Sequence, residues 1–385
     1  MAQGWQGSGV CGMCFVGAGW EDAGMVVMST RAVNRATLAR QVLLGREAVA
    51  AVDVVRRLAG MQGQEPKHPY VGLWSRIDGF DEGELDRAVV GREVVRATFL
   101  RGTLHLVTAG DYLRFRVTLA PVLEAGLKVL GERGAGLEPE KVVAAAAKLL
   151  AKEPLTFTEV RDALQQQFPE VNERALGFCT RMLVPLVMYP ADVRWSWTAN
   201  SKFTPAEDWI GAKLHKTAEA AELVTRYLAA FGPATPADFQ TWSGLQKAKP
   251  LFDELELETF KDEGGKTLYD VPDAPRPDAD APAPVRFLPE FDNLLLSHAK
   301  RERIIADEHK PAVFTKNLRV KSTYTVDGFV AGLWTSELKR GVATLTLTPF
   351  GKTLKKTQTE LEREGTALLH FLEPNAKSYG VVTAG

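Results

Sequence analysis

The chain has 385 residues, of which 45% are hydrophobic and 25% charged, and it carries a formal charge of -1 at pH 7. Such a composition belongs to a globular protein long enough for two or three domains; the near-neutral balance excludes a protein that grips a polyanion by bulk charge, so any such site is a local patch. Three cysteines, Cys11, Cys14 and Cys179, are too few and too odd for a disulfide framework and fit a reducing cytoplasm. The Cys11 and Cys14 pair has no second pair or histidine cluster to complete a zinc site.

Residues 1–28 are glycine-rich, lack a basic start and sustain no apolar run, so they are expected to form a disordered extension rather than a signal peptide. Met25 and Met28 are alternative translation starts in this reading. No later segment reaches the ~18 uninterrupted apolar residues of a membrane span, so a soluble protein without a membrane partner is expected.

Residues 29–135 open with two amphipathic stretches, "TRAVNRATLARQVLL" and "REAVAAVDVVRRLAGMQ", whose apolar residues recur at three- and four-residue spacing. A third helix is expected in "DEGELDRAVV", which has acidic residues in its first turn, followed by a β-prone pair in "VVRATFLRGTLHLVT". Three helices and a two-stranded ribbon are the order of a winged helix. Residues 136–213 repeat it: "PEKVVAAAAKLLAKEP", "TFTEVRDALQQQFP" behind a threonine cap, "NERALGFCTRMLVPL", then strands in "VMYPADVRWSWT". Residues 214–273 do so again, with a capping sequence at Thr235, Pro236 and Asp238 and a hairpin around Gly264 and Gly265.

Residues 274–385 begin within a Pro/Asp/Ala-rich connector, Pro272 to Val285, that can be neither helix nor central strand. A β-rich segment follows, with a hairpin turning at Asp327-Gly328 and a terminal helix near Thr353 to Leu372. The fold class expected is α+β: three tandem winged-helix units plus a C-terminal segment containing a β-hairpin, together a concave body for DNA.

Tandem helix-and-wing units raise DNA binding, because such a helix fits a major groove while its neighbours meet phosphates; winged helices also serve as protein-interaction modules. The most basic stretch, Lys300 to Lys321, includes Lys316, Arg319 and Lys321 and flanks the predicted hairpin. The usual enzyme signatures are absent: no P-loop, GxSxG, HExxH or dinucleotide fingerprint, and no histidines at metal-ligand spacing. His105 and His298 sit in apolar contexts and read as structural histidines. No carboxylate pair is marked as acid and base, and no metal or cofactor is expected.

One stretch stands out, "GMQGQEPKHPYVGLWSR", which sets Gln62 and Gln64 one residue apart beside turn-forming residues. On its own it fits a polar cap for the helix ending near Gly60. Together with "VVRATFLRGTLHLVTAGDYLRFR", "RFLPEFDNLLLSHAKRERII" and "NLRVKSTYTVDGFVAGLW" it resembles the bacterial winged-helix DNA glycosylases of the AlkZ type, which repair crosslinks and confer azinomycin resistance. The resemblance runs from Arg31 to the C-terminus. It implies that Gln62 and Gln64 are the catalytic pair, that three winged helices form the DNA-binding body and that a β-hairpin reaches the minor groove. The family's middle position is usually apolar and here is Gly63, which keeps two residues of an extended strand on one side but loosens their geometry.

Neutral amides suit this chemistry. An N7- or N3-alkylated purine is cationic and is already a good leaving group, so no general acid is needed. Each glutamine offers a carbonyl acceptor and an amide donor, enough to hold one water in line and to stabilise positive charge growing on the sugar. The resemblance implies a monofunctional glycosylase acting on alkylated or crosslinked purines in double-stranded DNA; Arg96 and Arg101 are expected on phosphates, and the arm carrying Lys316, Arg319 and Lys321 is expected to probe a groove. A monomer is expected. The alternatives are a non-enzymatic winged-helix regulator, a protein that sequesters a genotoxin, and a lyase using Lys67.

Overall fold

The computed structural model describes residues 26–384 and shows a mixed α+β chain with strands in three sheets. The expectations for residues 1–25, including Cys11, Cys14 and a start at Met25, fall outside the described residues. Val27–Met28, inside the stretch expected to be an extension, form a short strand parallel to Glu258–Asp262, and Met28 is buried with Val33 and Leu268.

The first helix, Thr30–Arg40, is capped by Ser29. Besides Val27–Met28 it packs against Ala220–Phe231, in the stretch expected to be the third unit, more than on the helices that follow it. Its buried face explains why: Asn34, Arg35, Thr37 and Arg40 are removed from water and need partners. Arg40 pairs with buried Asp270 at 2.6 Å, Asn34 donates to the carbonyls of Arg303 and Gly328, and Arg35 meets Asp327 at 2.5 Å.

Helices Ala51–Arg57, Lys67–Trp74 and Glu82–Val90 precede strands Val94–Thr98 and Leu104–Thr108. Lys67–Trp74 lies where a turn was expected from Pro66 to Pro69. Pro69 is the third helical residue, among positions whose N–H groups have no intrahelical partner, so the ring costs no hydrogen bond there. Helices Pro139–Leu150, Phe157–Gln167 and Glu173–Leu183 follow, the second behind the Thr156 capping box. Strands Leu186–Met188 and Phe203–Pro205 come next, while most of the aromatic run "RWSWT" is irregular.

These two units do not keep separate ribbons. Met61–Gln62, Leu104–Thr108, Val94–Thr98, Leu186–Met188 and Phe203–Pro205 are consecutive neighbours in one five-stranded sheet, joined across the units where Ala97 meets Val187. One apolar cluster spans both, from Val54 and Tyr70 to Leu176 and Phe203.

In the third unit, helix Pro236–Ser243 is capped by Thr235 and Asp238 as expected, and Glu258–Asp262 pairs with Thr267–Asp270 around the predicted turn. The C-terminal part is a second five-stranded sheet, ordered Ser378–Thr383, Val342–Pro349, Phe329–Lys339, Thr323–Val326 and Arg286–Leu288, against which helix Lys355–Leu372 packs. That helix is not terminal: Ser378–Thr383 returns parallel to Val342–Pro349. No helix among the described residues is long and apolar enough to cross a membrane.

Candidate active site

Met61–Gln62 is an edge strand, paired on one side only, with Gln62 opposite His105. Gly63 extends the pairing by one bond, donating to the carbonyl of Leu104 at 2.8 Å. The chain then bends at Gln64. Arg96 fixes that bend, since its Nε donates to the carbonyl of Gly63 at 2.7 Å and its Nη2 to the carbonyl of Gln64 at 2.9 Å. Successive carbonyls of a straight strand point to opposite sides, so two of them on one guanidinium require the turn. Gln62 is therefore 8% exposed, whereas Gln64 is exposed.

The glycines around the motif permit close approach. A Cβ on Gly72 would lie 2.5 Å from Cε of Met61, so a larger residue there would make the Met61 side chain move aside. At Gly63 the nearest atom to a Cβ would be the Leu106 amide nitrogen at 3.3 Å, so a small side chain fits only with a slight shift.

The free side of the edge strand is covered from 231 residues away. Asn293 accepts from the Gln62 N–H at 3.3 Å and donates to the carbonyl of Gly60 at 2.6 Å. Asn293 is held in turn by Asp292, which forms a fully buried, two-pronged pair with Arg76 at 2.9 and 3.0 Å. Neither residue was singled out from the sequence; both lie inside "RFLPEFDNLLLSHAKRERII", but nothing local in that segment points to Gln62.

Arg96 and Arg101, expected on phosphates, are turned inward onto protein acceptors. Arg96 is 2% exposed, stacks over Trp197 at 5.5 Å and is pulled down to about 10 by burial, with Glu65 opposing the shift. Arg101 is half-buried in the turn Leu100–Gly102. Its Nη2 donates to Oε1 of Gln62 at 3.1 Å and its Nη1 to the carbonyl of Trp242. That carbonyl belongs to the last turn of helix Pro236–Ser243, the negative end of the helix dipole. Gly244 closes this helix at φ +85°, and a Cβ there would strike Val122 at 2.7 Å and approach Arg101 Cγ at 3.7 Å. Burial, then Arg301, lower the Arg101 guanidinium to about 10. Both arginines stay cationic at neutral pH. Arg101 itself has φ +54°, a left-handed conformation that costs a residue with a Cβ roughly 1–2 kcal/mol.

The histidines near the site are neutral. His105 is buried, bonds the Thr103 carbonyl through Nδ1 at 3.0 Å and is lowered to about 3 by burial and Arg101. His68 is lowered to about 3 by burial, Lys67 and Arg319. His298 contacts the Phe231 carbonyl at 3.0 Å and is also lowered to about 3, chiefly by burial. Among the described residues no group of three or more His, Cys, Asp or Glu could hold a metal.

Beside Gln64 opens a cavity of about 420 Å³ lined by Glu65, Lys67, His68, Glu290, Arg319 and Trp334. Arg319 links it to the basic turn, a minimal hairpin closed by a bridge between Phe314 and Val320. Lys316, Asn317 and Arg319 are exposed, and Leu318 projects at its tip, 88% exposed. Arg319 pairs with Glu290 at 2.8 Å, and Lys321 lies exposed just beyond. At the Asp327-Gly328 turn Asp327 is also exposed, but it is tied down by Arg31 and Arg35, and Gly328 is buried.

The chain is 29% identical over 358 residues, 87% of its length and 94% of the relative's, to the interstrand DNA cross-link repair glycosylase of Streptomyces sahachiroi. The solved structure of the Streptomyces sahachiroi DNA glycosylase AlkZ superposes with a TM-score of 0.75 at 24% identity, covering 93% of this chain and all of the other, which shows the shared fold. The model of the AlkZ-like DNA glycosylases matches residues 55–371, from the helix before the glutamines to the helix on the C-terminal sheet, and the chain belongs to that family of N-glycosyl hydrolases.

Proposed function

We propose that the protein hydrolyses the N-glycosidic bond of cationic alkylated purines, of the N7-alkylguanine type, and unhooks interstrand crosslinks, with Gln62 and Gln64 ordering the attacking water. The observation that carries this reading is the clamping of Gln62-Gly63-Gln64 by Arg96, Arg101 and Asn293, residues from two widely separated parts of the chain. So much fixed geometry around two amides suits a reaction won by positioning. The neighbouring histidines stay neutral, which leaves no imidazolium to act as an acid, and a cationic leaving group needs none. The similarity to a crosslink-repair glycosylase supports the crosslink as a substrate.

Double-stranded DNA reaches this centre over exposed cations rather than over Arg96 and Arg101. Lys67, Lys316, Arg319 and Lys321 are all on the surface, and the turn with Leu318 at its tip is shaped to enter a groove, where apolar tips wedge between bases. A crosslinked base is tied to the opposite strand and cannot simply be flipped out, so the lesion is met within the duplex. The enzyme acts as a monofunctional hydrolase in this reading.

The test is release of base from duplexes carrying N7-methylguanine or a nitrogen-mustard crosslink, scored after alkaline strand cleavage. The wild type is expected to act on both, and Gln62→Ala and Gln64→Ala to be slower by about 10²–10³-fold each, the usual cost of removing a well-aimed polar group. Binding of both duplexes without release by the wild type would overturn the proposal. Borohydride trapping on abasic DNA would expose a lyase.

A further inference from the structure

A guanidinium has donors and no acceptor, so whichever atom of Gln62 lies 3.1 Å from Arg101 must be the carbonyl oxygen. This settles which end of the amide is committed to protein. The Gln62 backbone N–H is separately taken by Asn293, and the side-chain NH₂ is not among the buried atoms that lack a partner. That NH₂ is the polar group the residue has left to offer. Gln64, exposed and held through its own backbone carbonyl, has both ends of its amide free among the described residues.

Arg101 is itself held in place. The carbonyl of Trp242 takes its other prong, Gly244 makes room for its stem, and its backbone is in the left-handed region, conformational strain of a kind that persists where surrounding structure imposes it. We propose that Arg101 is a positioning residue that fixes the flip of Gln62, so that Gln62 meets the reacting centre as a hydrogen-bond donor and Gln64 serves as the acceptor of the pair. The proposal rests on the amide-pair reading above and divides its labour.

The division gives the water one donor, one acceptor and a lone pair left for attack. Gln62 donates to one lone pair of the water oxygen, and the Gln64 carbonyl accepts one O–H, leaving the second lone pair for C1′. The O–C1′ bond forms as the C1′–N9 bond breaks. Its electron pair goes to the purine, cancelling the positive charge, and the proton lost from the water leaves to solvent past Gln64. No oxidant, reductant or metal is required.

The test uses the full-length protein in single turnover at saturating enzyme on the N7-methylguanine duplex, with the Kd for the same DNA measured alongside. Arg101→Lys keeps the charge but cannot bridge Trp242 and Gln62; it is expected to slow release at least tenfold with Kd within twofold of wild type. Arg101→Lys combined with Gln62→Ala is expected to be no slower than Gln62→Ala alone, since the two changes remove one device. Gln62→Glu, which has no donor, is expected to be as slow as Gln62→Ala. Thermal unfolding of each variant identifies those that fold, and Arg101→Gln replaces Arg101→Lys in the cycle if the latter does not. A weakened Kd with an unchanged saturated rate would make Arg101 a phosphate ligand and overturn the assignment alone, as would multiplying losses in the double variant or wild-type speed in Gln62→Glu. Wild-type release by Gln62→Ala would instead overturn the amide-pair reading, and this assignment with it.

Discussion

The strand and bend from Gly60 to Gln64 and the basic turn from Phe314 to Val320 are both short irregular segments beside one cavity, and they are built oppositely. In the first, backbone and side-chain groups are claimed by Arg96, Arg101 and Asn293. In the second, Lys316 and Leu318 face solvent and the main tie from a side chain is the exposed pair between Arg319 and Glu290. Chemistry at C1′ demands a fixed geometry, within which a small displacement is expensive. Following a DNA groove demands adaptable cations whose value falls with salt. The contrast predicts that damage to the first region costs rate and stability, and damage to the second costs affinity.

The largest effect of a single substitution is expected from Asp292→Ala. It leaves the Arg76 guanidinium buried without its carboxylate, a change that costs about 3–5 kcal/mol, and chemical denaturation should show it. Acidification acts on three buried imidazoles at once and over several pH units exceeds any single substitution. His68, His105 and His298 are each lowered to about 3 in the folded state, against about 6.5 unfolded. The unfolded chain binds their protons first as pH falls, so their contribution is intact above about pH 6.5 and is lost progressively toward pH 3. Each adds a slope of up to about 1.4 kcal/mol per pH unit. Unfolding free energies measured from about pH 7 to pH 4 should steepen accordingly, and His298→Gln should flatten the curve.

Asn293→Ala strands the Gly60 carbonyl and the Gln62 N–H, at a cost of roughly 1–3 kcal/mol. Base release should slow in the same variant, because the strand bearing Gln62 loses its outer support. The smallest effect on stability belongs to Lys316→Glu with Arg319→Glu. Those changes should leave the unfolding free energy within about 0.5 kcal/mol of wild type. They should weaken DNA binding and reduce the slope of log K against log salt by about 0.9 for each phosphate no longer neutralised. Unchanged affinity would remove the turn from the interface, and the contrast between the regions would fail on that side.

Local signals were legible. The capping boxes at Thr156 and Thr235 and the turn at Gly264-Gly265 are decided by residues within a few positions of one another, and they stand where the sequence indicates. The glutamine pair is singled out only by family resemblance, since its residues carry no mark of chemistry by themselves. Partnership across the chain was not legible. Helix Thr30–Arg40 reads as the start of the first unit, but Arg40 and Asn34 find their acceptors at Leu228, Arg303 and Gly328. Arg96 and Arg101 look like surface cations because most of their acceptors are backbone carbonyls, which every residue has and no sequence distinguishes. Lys67–Trp74 was hidden by prolines that are harmless only because they fall in a helix's first turn.

The Gln62 N–H waits for Asn293, and the second prong of Arg101 waits for Trp242. During synthesis the chain emerges from its N-terminus at about 5–20 residues per second, so the glutamines leave the ribosome well before the residues that hold them. Prematurely ended chains that stop short of Asn293 carry the motif without its support. The strand bearing Gln62 is therefore fully tied only after more than two thirds of the chain has been made, and a truncated fragment displays the two glutamines in a segment free to move.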